Sequence, residues 1–192
     1  FGTGLYESAA RYLEPNERTN RLAALEINAD LGFATLTSAT GYSTYEDDGQ
    51  RDQTDLLITF EYTYQLFPTF SAFTRDTQHD RSLSQELRLV SQGDGAWSWI
   101  AGVFYFDQIQ RGDSREFTPH FDQFFIDFAL GDDGVLRPDS LEYLQYGQDD
   151  LNEKAVFGEL GYQITDKWQI TLGGRFYDYE LLIDSGFSLP LL

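Results

Sequence analysis

Trp168-Gln169-Ile170-Thr171-Leu172-Gly173-Gly174-Arg175-Phe176-Tyr177-Asp178-Tyr179 is the stretch on which the fold turns. Trp168, Ile170, Leu172 and Phe176 fall on alternate positions, opposite Gln169, Thr171, Gly173, Arg175 and Tyr177. Successive side chains of a strand point to opposite faces, so this spacing predicts a strand with one apolar and one polar face. The strand is long: residues 168–179 exceed the ~5–6 of an ordinary soluble strand and cover the ~9–11 of a tilted membrane strand.

Moving outward, Thr165-Asp166-Lys167 makes a tight turn into a partner strand at 154–164. There Val156, Gly158, Leu160 and Tyr162 alternate with Ala155, Phe157, Glu159 and Gln163. The arrangement recurs twice upstream. Strand 81–91 sets Leu83, Gln85, Leu87 and Leu89 against Ser84, Glu86 and Arg88. It reaches strand 97–107 through Gln92-Gly93-Asp94-Gly95, a turn whose glycines tolerate positive φ. Strand 97–107 is apolar on both faces, and its pattern leaves its orientation open. Strand 21–30 carries Ala23, Leu25, Ile27 and Ala29 opposite Glu26, Asn28 and Asp30, and it turns around Leu31 and Gly32 into strand 33–45.

The expected fold is therefore all-β, an antiparallel meander of about six long strands with long loops, 46–80 and 107–153, on one side. Short turns at one end and long loops at the other are the asymmetry of an outer-membrane barrel, and a soluble sandwich rarely keeps it. Trp97, Trp168, Tyr42, Tyr45 and Tyr162 near the strand ends fit interfacial girdles. The chain starts at Phe1 and contains no Met, so residues 1–192 are expected to be an internal piece of one barrel domain. Alone, such a piece would form an open, curved sheet.

Composition agrees. With 16 Phe, 12 Tyr and only 5 Pro, the chain favours strands. Its apolar runs are too short for the ~20 residues of a membrane helix, so any membrane crossing must be made by strands. The absence of cysteine excludes disulfides, thiolate metal sites and Cys nucleophiles. The net charge of −19 lies mostly in the two long connections, which hold eight acids with two arginines and twelve acids with three. Such a surface repels phosphates, so nucleic acid is not an expected partner.

The long connections carry patterns of their own. Leu56, Ile58, Phe60, Tyr62, Tyr64 and Leu66 alternate, and Pro68 ends the run; this predicts a hairpin above the membrane with 70–73 as its return strand. Phe121, Phe124, Phe125 and Phe128 recur at helical spacing between Pro119 and Gly131, which predicts a helix. Leu141, Tyr143 and Leu144, after Pro138-Asp139, suggest a further helical turn.

Three segments resemble hairpins of TonB-dependent receptors. They are Asp30-Leu31-Gly32-Phe33-Ala34-Thr35-Leu36-Thr37-Ser38-Ala39-Thr40-Gly41-Tyr42; Ser84-Gln85-Glu86-Leu87-Arg88-Leu89 followed by Trp99-Ile100-Ala101-Gly102-Val103-Phe104-Tyr105; and Ala155-Val156-Phe157-Gly158-Glu159-Leu160-Gly161-Tyr162 with Leu172-Gly173-Gly174-Arg175-Phe176. The resemblance covers roughly residues 21–179. It implies part of a 22-stranded barrel in the outer membrane of a Gram-negative bacterium, with a plug inside, taking up a scarce nutrient of the siderophore, glycan or cobalamin class. The implied partners are outer-membrane lipid, the remaining barrel strands, the plug, the nutrient and, through the plug, the TonB complex. Plug and TonB box are absent from this stretch.

Glu26, Glu86, Arg88, Lys154, Glu159 and Arg175 sit among the polar positions and are expected in the lumen. There they either guide cargo and contact the plug or neutralise one another. Phe121, Phe124, Phe125, Phe128, Tyr143 and Tyr146 are the candidate ligand contacts in the second long loop, by stacking on a sugar or aromatic ring; alternatively they form the loop's own core. Asp47-Asp48, Asp132-Asp133 and Asp149-Asp150 lack the spacing of a calcium loop, so no metal site is expected. His79 and His120 are isolated, although His79 has Asp80 and Asp76 nearby. No phosphate loop or HExxH motif occurs, so no catalytic residue, enzymatic activity or cofactor is expected.

Two other readings share this pattern: a passive porin or structural barrel, and a secreted β-sheet carbohydrate-binding module. The module would bury Ile170, Leu172 and Phe176 in a core, whereas a barrel turns them outward.

Overall fold

The computed structural model describes residues 10–60, 67–128 and 139–190. Strands β1 (Asn16–Asp30), β2 (Ala34–Asp52), β3 (Phe73–Ser91), β4 (Trp97–Phe117), β5 (Leu141–Thr165) and β6 (Trp168–Ser188) pair in sequence order in one antiparallel sheet. Helix α1 (Thr54–Phe60) follows β2, and α2 (Phe121–Phe128) follows β4. Among the described residues the outer edges of β1 and β6 have no partner strand.

Local chemistry fixes the turns. Gly32 takes φ of 83° and donates its N–H to Asp30 Oδ1 at 2.8 Å, while Leu31 N–H donates to the Ala34 carbonyl at 2.9 Å. Gly93 takes φ of 118° in the next turn, a conformation open to glycine without strain. At Thr165 the β5–β6 register shifts, and the Thr165 hydroxyl accepts the Lys167 N–H at 3.3 Å.

The sheet runs well beyond the expected strands. The connections read as loops 46–80 and 107–153 are largely strand: β2 continues to Asp52, β3 begins at Phe73, β4 continues to Phe117 and β5 begins at Leu141. The expected helical turn at Leu141, Tyr143 and Leu144 is the start of β5. The hairpin expected over 56–73 is replaced by α1 and by the start of β3; residues 61–66, including Tyr62, Tyr64 and Leu66, lie outside the described residues. A short apolar run fits either period, and capping and burial decide it. Asp52 Oδ1 accepts the Thr54 N–H at 2.9 Å at the entry to the helix. The helix then buries Leu57 and leaves Leu56 half exposed, the reverse of what a strand phased on Leu56 would do. The helix expected at Phe121 is present as α2.

The buried cluster lies at the loop end and not under the sheet. Leu57 of α1, Phe67, Phe70 and Ala72 of the following segment, and Phe121 and Phe124 of α2 pack together. Phe67 stacks on Phe124 with centroids 4.8 Å apart and planes 3° from parallel, so the two connections share one small core.

Candidate ligand-contacting wall

Opposed residues of an antiparallel pair share a face, so the register assigns every side chain to one of two faces. One face carries Ala23–Ile27, Leu36–Tyr42, Leu83–Leu89, Trp97–Tyr105, Val156–Tyr162 and Trp168–Phe176 at alternate positions. This is a mostly apolar band, interrupted on β2 and β3 by Ser38, Thr40 and Gln85, where Gln85 accepts from the Thr40 hydroxyl and donates to Ser38 Oγ at 3.1 Å, and none of the described residues covers it: Leu172 is 78% exposed and Phe176 75%. Burial of these residues would have supported a water-soluble sheet. At the end of the band away from the short turns, the next residue on the same face is polar in all six strands: Arg21, Thr44, Arg81, Asp107, Lys154 and Asp178.

Glu26, Glu86, Arg88, Glu159 and Arg175 all fall on the other, polar face. Lys154 does not. It opposes Tyr105 and Asp178 and shares its parity with Val156 and Leu160, so it stands at the rim of the apolar band. Of the remaining five, Arg88 pairs with Glu86 at 3.4 Å on its own strand, while Arg175 bonds Glu153 Oε1 on β5 at 2.7 Å.

Arg175 organises the middle of this wall. Its guanidinium also lies 4.9 Å from the centroid of the Phe104 ring, an arrangement worth about 0.5–1 kcal/mol when partly exposed. Phe106 stacks along β4 with Phe104, and Tyr177 stacks along β6 with Tyr179, at centroid spacings of 6.5 and 6.3 Å. Phe157 lies flat over Gly102, where a built Cβ would stand 2.3 Å from the ring's Cζ. Glycine is required here by the ring, not by backbone conformation. Further from the short turns, Gly112, Gly147 and Ser185 floor a depression of about 340 Å³ walled by Gln78, Gln110 and Gln145. The wall thus offers flat aromatic faces, amides of which Gln78 and Gln110 bond Asp80, the Asp149 carboxylate beside the depression, and cations paired with glutamates, Arg88 and Arg175 among them.

The sequence reading left the strand of Phe104 and Phe106 without an orientation, and it missed Tyr177 and Tyr179 as site residues because the apolar parity of β6 changes along the strand. Up to Phe176 the apolar residues share one face; from Tyr177 the series Tyr177, Tyr179, Leu181, Ile183 and Phe187 lies on the other, backed by Asp178, Glu180 and Asp184. That switch is visible in the sequence once the strand is followed past Tyr179.

The expected aromatic ligand contacts do not form one site. Phe121 and Phe124 are buried in the shared loop core and offer no ring face to a ligand. The side chains of Phe125 and Phe128 lie outside the described residues. Tyr143 stacks on Phe187 at 6.2 Å on the polar face, while Tyr146 packs against Gly186 on the other.

The acidic pairs separate as strand neighbours must: Asp149 and Asp150 point to opposite faces, and so do Asp47 and Asp48. Asp132 and Asp133 lie outside the described residues. Among the described residues no cluster of three potential ligands could hold a metal ion. Asp47 accepts from the Tyr45 hydroxyl, Arg18 Nε and Asn16 Nδ2 at 2.9, 2.9 and 3.0 Å. The Tyr45 bond, with those of Arg18 and Asn16, holds the Asp47 carboxyl below its ordinary range, and the bond to the Asp47 carboxylate raises the tyrosine. Partial burial pushes Asp52 up, but hydrogen bonds from Thr54, Tyr12 and Arg11 outweigh it and the net shift is downward. His79 is exposed on the face opposite Asp76 and Asp80, and His120 sits at φ of 68° in the turn before α2.

With this geometry established, comparison with known proteins adds the architecture. The ferric yersiniabactin uptake receptor FyuA from Yersinia pestis superposes with a TM-score of 0.60 over 93% of this chain at 13% identity. The chain has the fold of part of a TonB-dependent receptor barrel. It spans only 26% of that receptor's length. The siderophore receptor PiuA from Acinetobacter baumannii aligns over 88% of the chain and 30% of its own at 11% identity, with a TM-score of 0.37, too loose to argue from. No family model matches the sequence, and no curated protein does.

Proposed function

We propose that this chain is a stretch of barrel wall from a TonB-dependent receptor in the outer membrane, which imports a scarce nutrient without covalent chemistry. The observation that carries the reading is the exposed apolar band of six long strands, bounded in every strand by a polar residue. Only lipid makes such a band favourable, and only a closed barrel satisfies its backbone there. The band faces lipid and the polar face lines the lumen, toward the plug and the cargo.

Phe104, Phe106, Tyr177 and Tyr179, together with Arg175, form the cargo-contacting surface. Flat rings stack on sugar or aromatic rings, and the glutamine-walled depression bonds hydroxyl and amide groups. This chemistry suits a siderophore, a glycan or cobalamin.

The test is uptake by the full-length protein in its native cell, with each of the three cargo classes. Uptake of one class that stops when the membrane is de-energised, and falls at least tenfold with Y177A/Y179A, is the expected result. Energy-independent conductance in a planar bilayer would assign the protein to passive porins and overturn the receptor reading.

A further inference from the structure

Along the polar face of β6, Tyr177, Tyr179, Leu181 and Ile183 occupy every alternate position, and all four are exposed. At ~3.3 Å per residue they make a lane of rings and apolar side chains about 20 Å long. Leu151 of β5 lies directly opposite Leu181, and Phe106 of β4 shares its rung with Tyr179, each opposing Glu153. Hydrogen-bonding groups run beside the lane: Ser84 of β3 and Gln108 of β4 have no side-chain partner among the described residues. The charge on this face is one-sided. Every arginine it carries in the six strands is held by a carboxylate, Arg18 by Asp47, Arg51 by Asp76, Arg88 by Glu86 and Arg175 by Glu153, at 2.9, 3.0, 3.4 and 2.7 Å. Neither Lys154 nor Lys167 lies on it. Asp149, beside the depression, and Glu159 are acids of this face with no ion pair or hydrogen bond among the described residues.

We infer that the cargo of this wall is an uncharged oligosaccharide, held extended along the β6 lane. The inference rests on the proposed reading, in which the polar face lines the lumen and meets the cargo, and narrows it to one class. A sugar ring has apolar C–H faces and hydroxyls around its edge. The faces stack on Tyr177, Tyr179 and Phe106, while the hydroxyls donate to Asp149 and bond Gln108 and Ser84. A carboxylate that accepts from a hydroxyl needs no cation beside it, so the free acids suit this cargo. They repel an anionic ferric chelate, and no unpaired guanidinium on the face offsets that. Length separates the remaining classes: a compact macrocycle covers part of the lane, whereas a chain of rings covers all of it.

The test measures binding to the full-length protein in detergent. The neutral probes are maltohexaose, cellohexaose and xylohexaose with the disaccharide of each; the others are hexagalacturonate, a ferric tris-catecholate and cyanocobalamin. At least one neutral hexaose is expected to bind roughly tenfold or more tighter than each of the other three, the anions being opposed by the acidic face. L181S/I183S is expected to weaken that hexaose about tenfold, each buried methylene being worth a factor of about four, and to leave its disaccharide, held by Tyr177 and Tyr179, within about twofold. Tighter binding of the ferric chelate, hexagalacturonate or cyanocobalamin, or no binding of any hexaose, overturns the inference. So does a hexaose affinity that L181S/I183S leaves unchanged or lowers no more than that of the disaccharide. Uptake assays keep the two readings apart. Energised import of a ferric chelate removes this inference and leaves the receptor; sugar-selective conductance that needs no membrane energy removes the receptor and leaves the sugar-binding wall.

Discussion

Truncation of Phe124 should release two connections at once. Its ring is 6% exposed, stacks on Phe67 from the first connection at 4.8 Å, and lies parallel to Phe121 at 6.1 Å. Removing a buried phenyl ring costs about 3–5 kcal/mol. Among the described residues the core it belongs to has six buried members, drawn from both connections, and loops open locally at the low end of a protein's stability range. Phe124→Ala should therefore raise amide exchange at least about a hundredfold, since each 1.36 kcal/mol is a factor of ten. The increase should appear in α1 as well as α2, while the paired strands keep their protection. Hydrogen exchange by mass spectrometry on the full-length protein in a bilayer reads both segments in one experiment. Leu56→Ala, at a side chain 51% exposed, is the control and should change neither. Faster exchange in α2 with α1 unchanged would refute the shared core.

Three further outcomes follow from particular contacts. Gly102→Val should displace Phe157 and lower the stability of the folded full-length protein by about 1–3 kcal/mol, seen as a lower urea midpoint, because a Cβ there meets the ring at 2.3 Å. Gly174→Ala, with nothing within 4 Å of a built Cβ, should leave the midpoint unchanged. Asp47 and Asp52 titrate below their ordinary values in the folded chain, so the stability they contribute is fully present above the unfolded carboxylate pKa. That contribution is lost as pH falls through the lower folded values, that is, below about pH 4. Amide exchange at Tyr12 and Thr54, corrected for intrinsic rate, should rise in that window, and D52N should remove much of the pH dependence.

Much of the architecture was legible because the alternation in residues 168–176 is that of a strand with one apolar and one polar face. Beyond Phe176 the apolar parity moves to Tyr177 and Tyr179, and the strand no longer reads as a continuation of itself. Polar extensions such as Glu46-Asp47-Asp48 have no apolar period to betray them; backbone pairing with β1 and β3 makes them strand. Lys154 was misplaced by treating charge as a sign of the polar face, whereas parity puts it on the face of the apolar band, where the band ends. Leu56 and Leu57 are adjacent apolar residues, and only the distant Phe67, Phe121 and Phe124 select Leu57 for burial. The loop phenylalanines showed a helix but not its packing partner, which lies more than fifty residues upstream.

The central claim is that the face of β6 bearing Leu172 meets lipid as far as Phe176 and water beyond it. The chain contains no cysteine, so single spin labels can be placed along β6 of the full-length protein in a bilayer. Labels at Ile170, Leu172 and Phe176 should be accessible to oxygen and shielded from a water-soluble nickel chelate, and labels at Asp178 and Glu180 the reverse. Chelate access at Leu172, or lipid exposure at Thr171 and Arg175 in its place, would contradict the account.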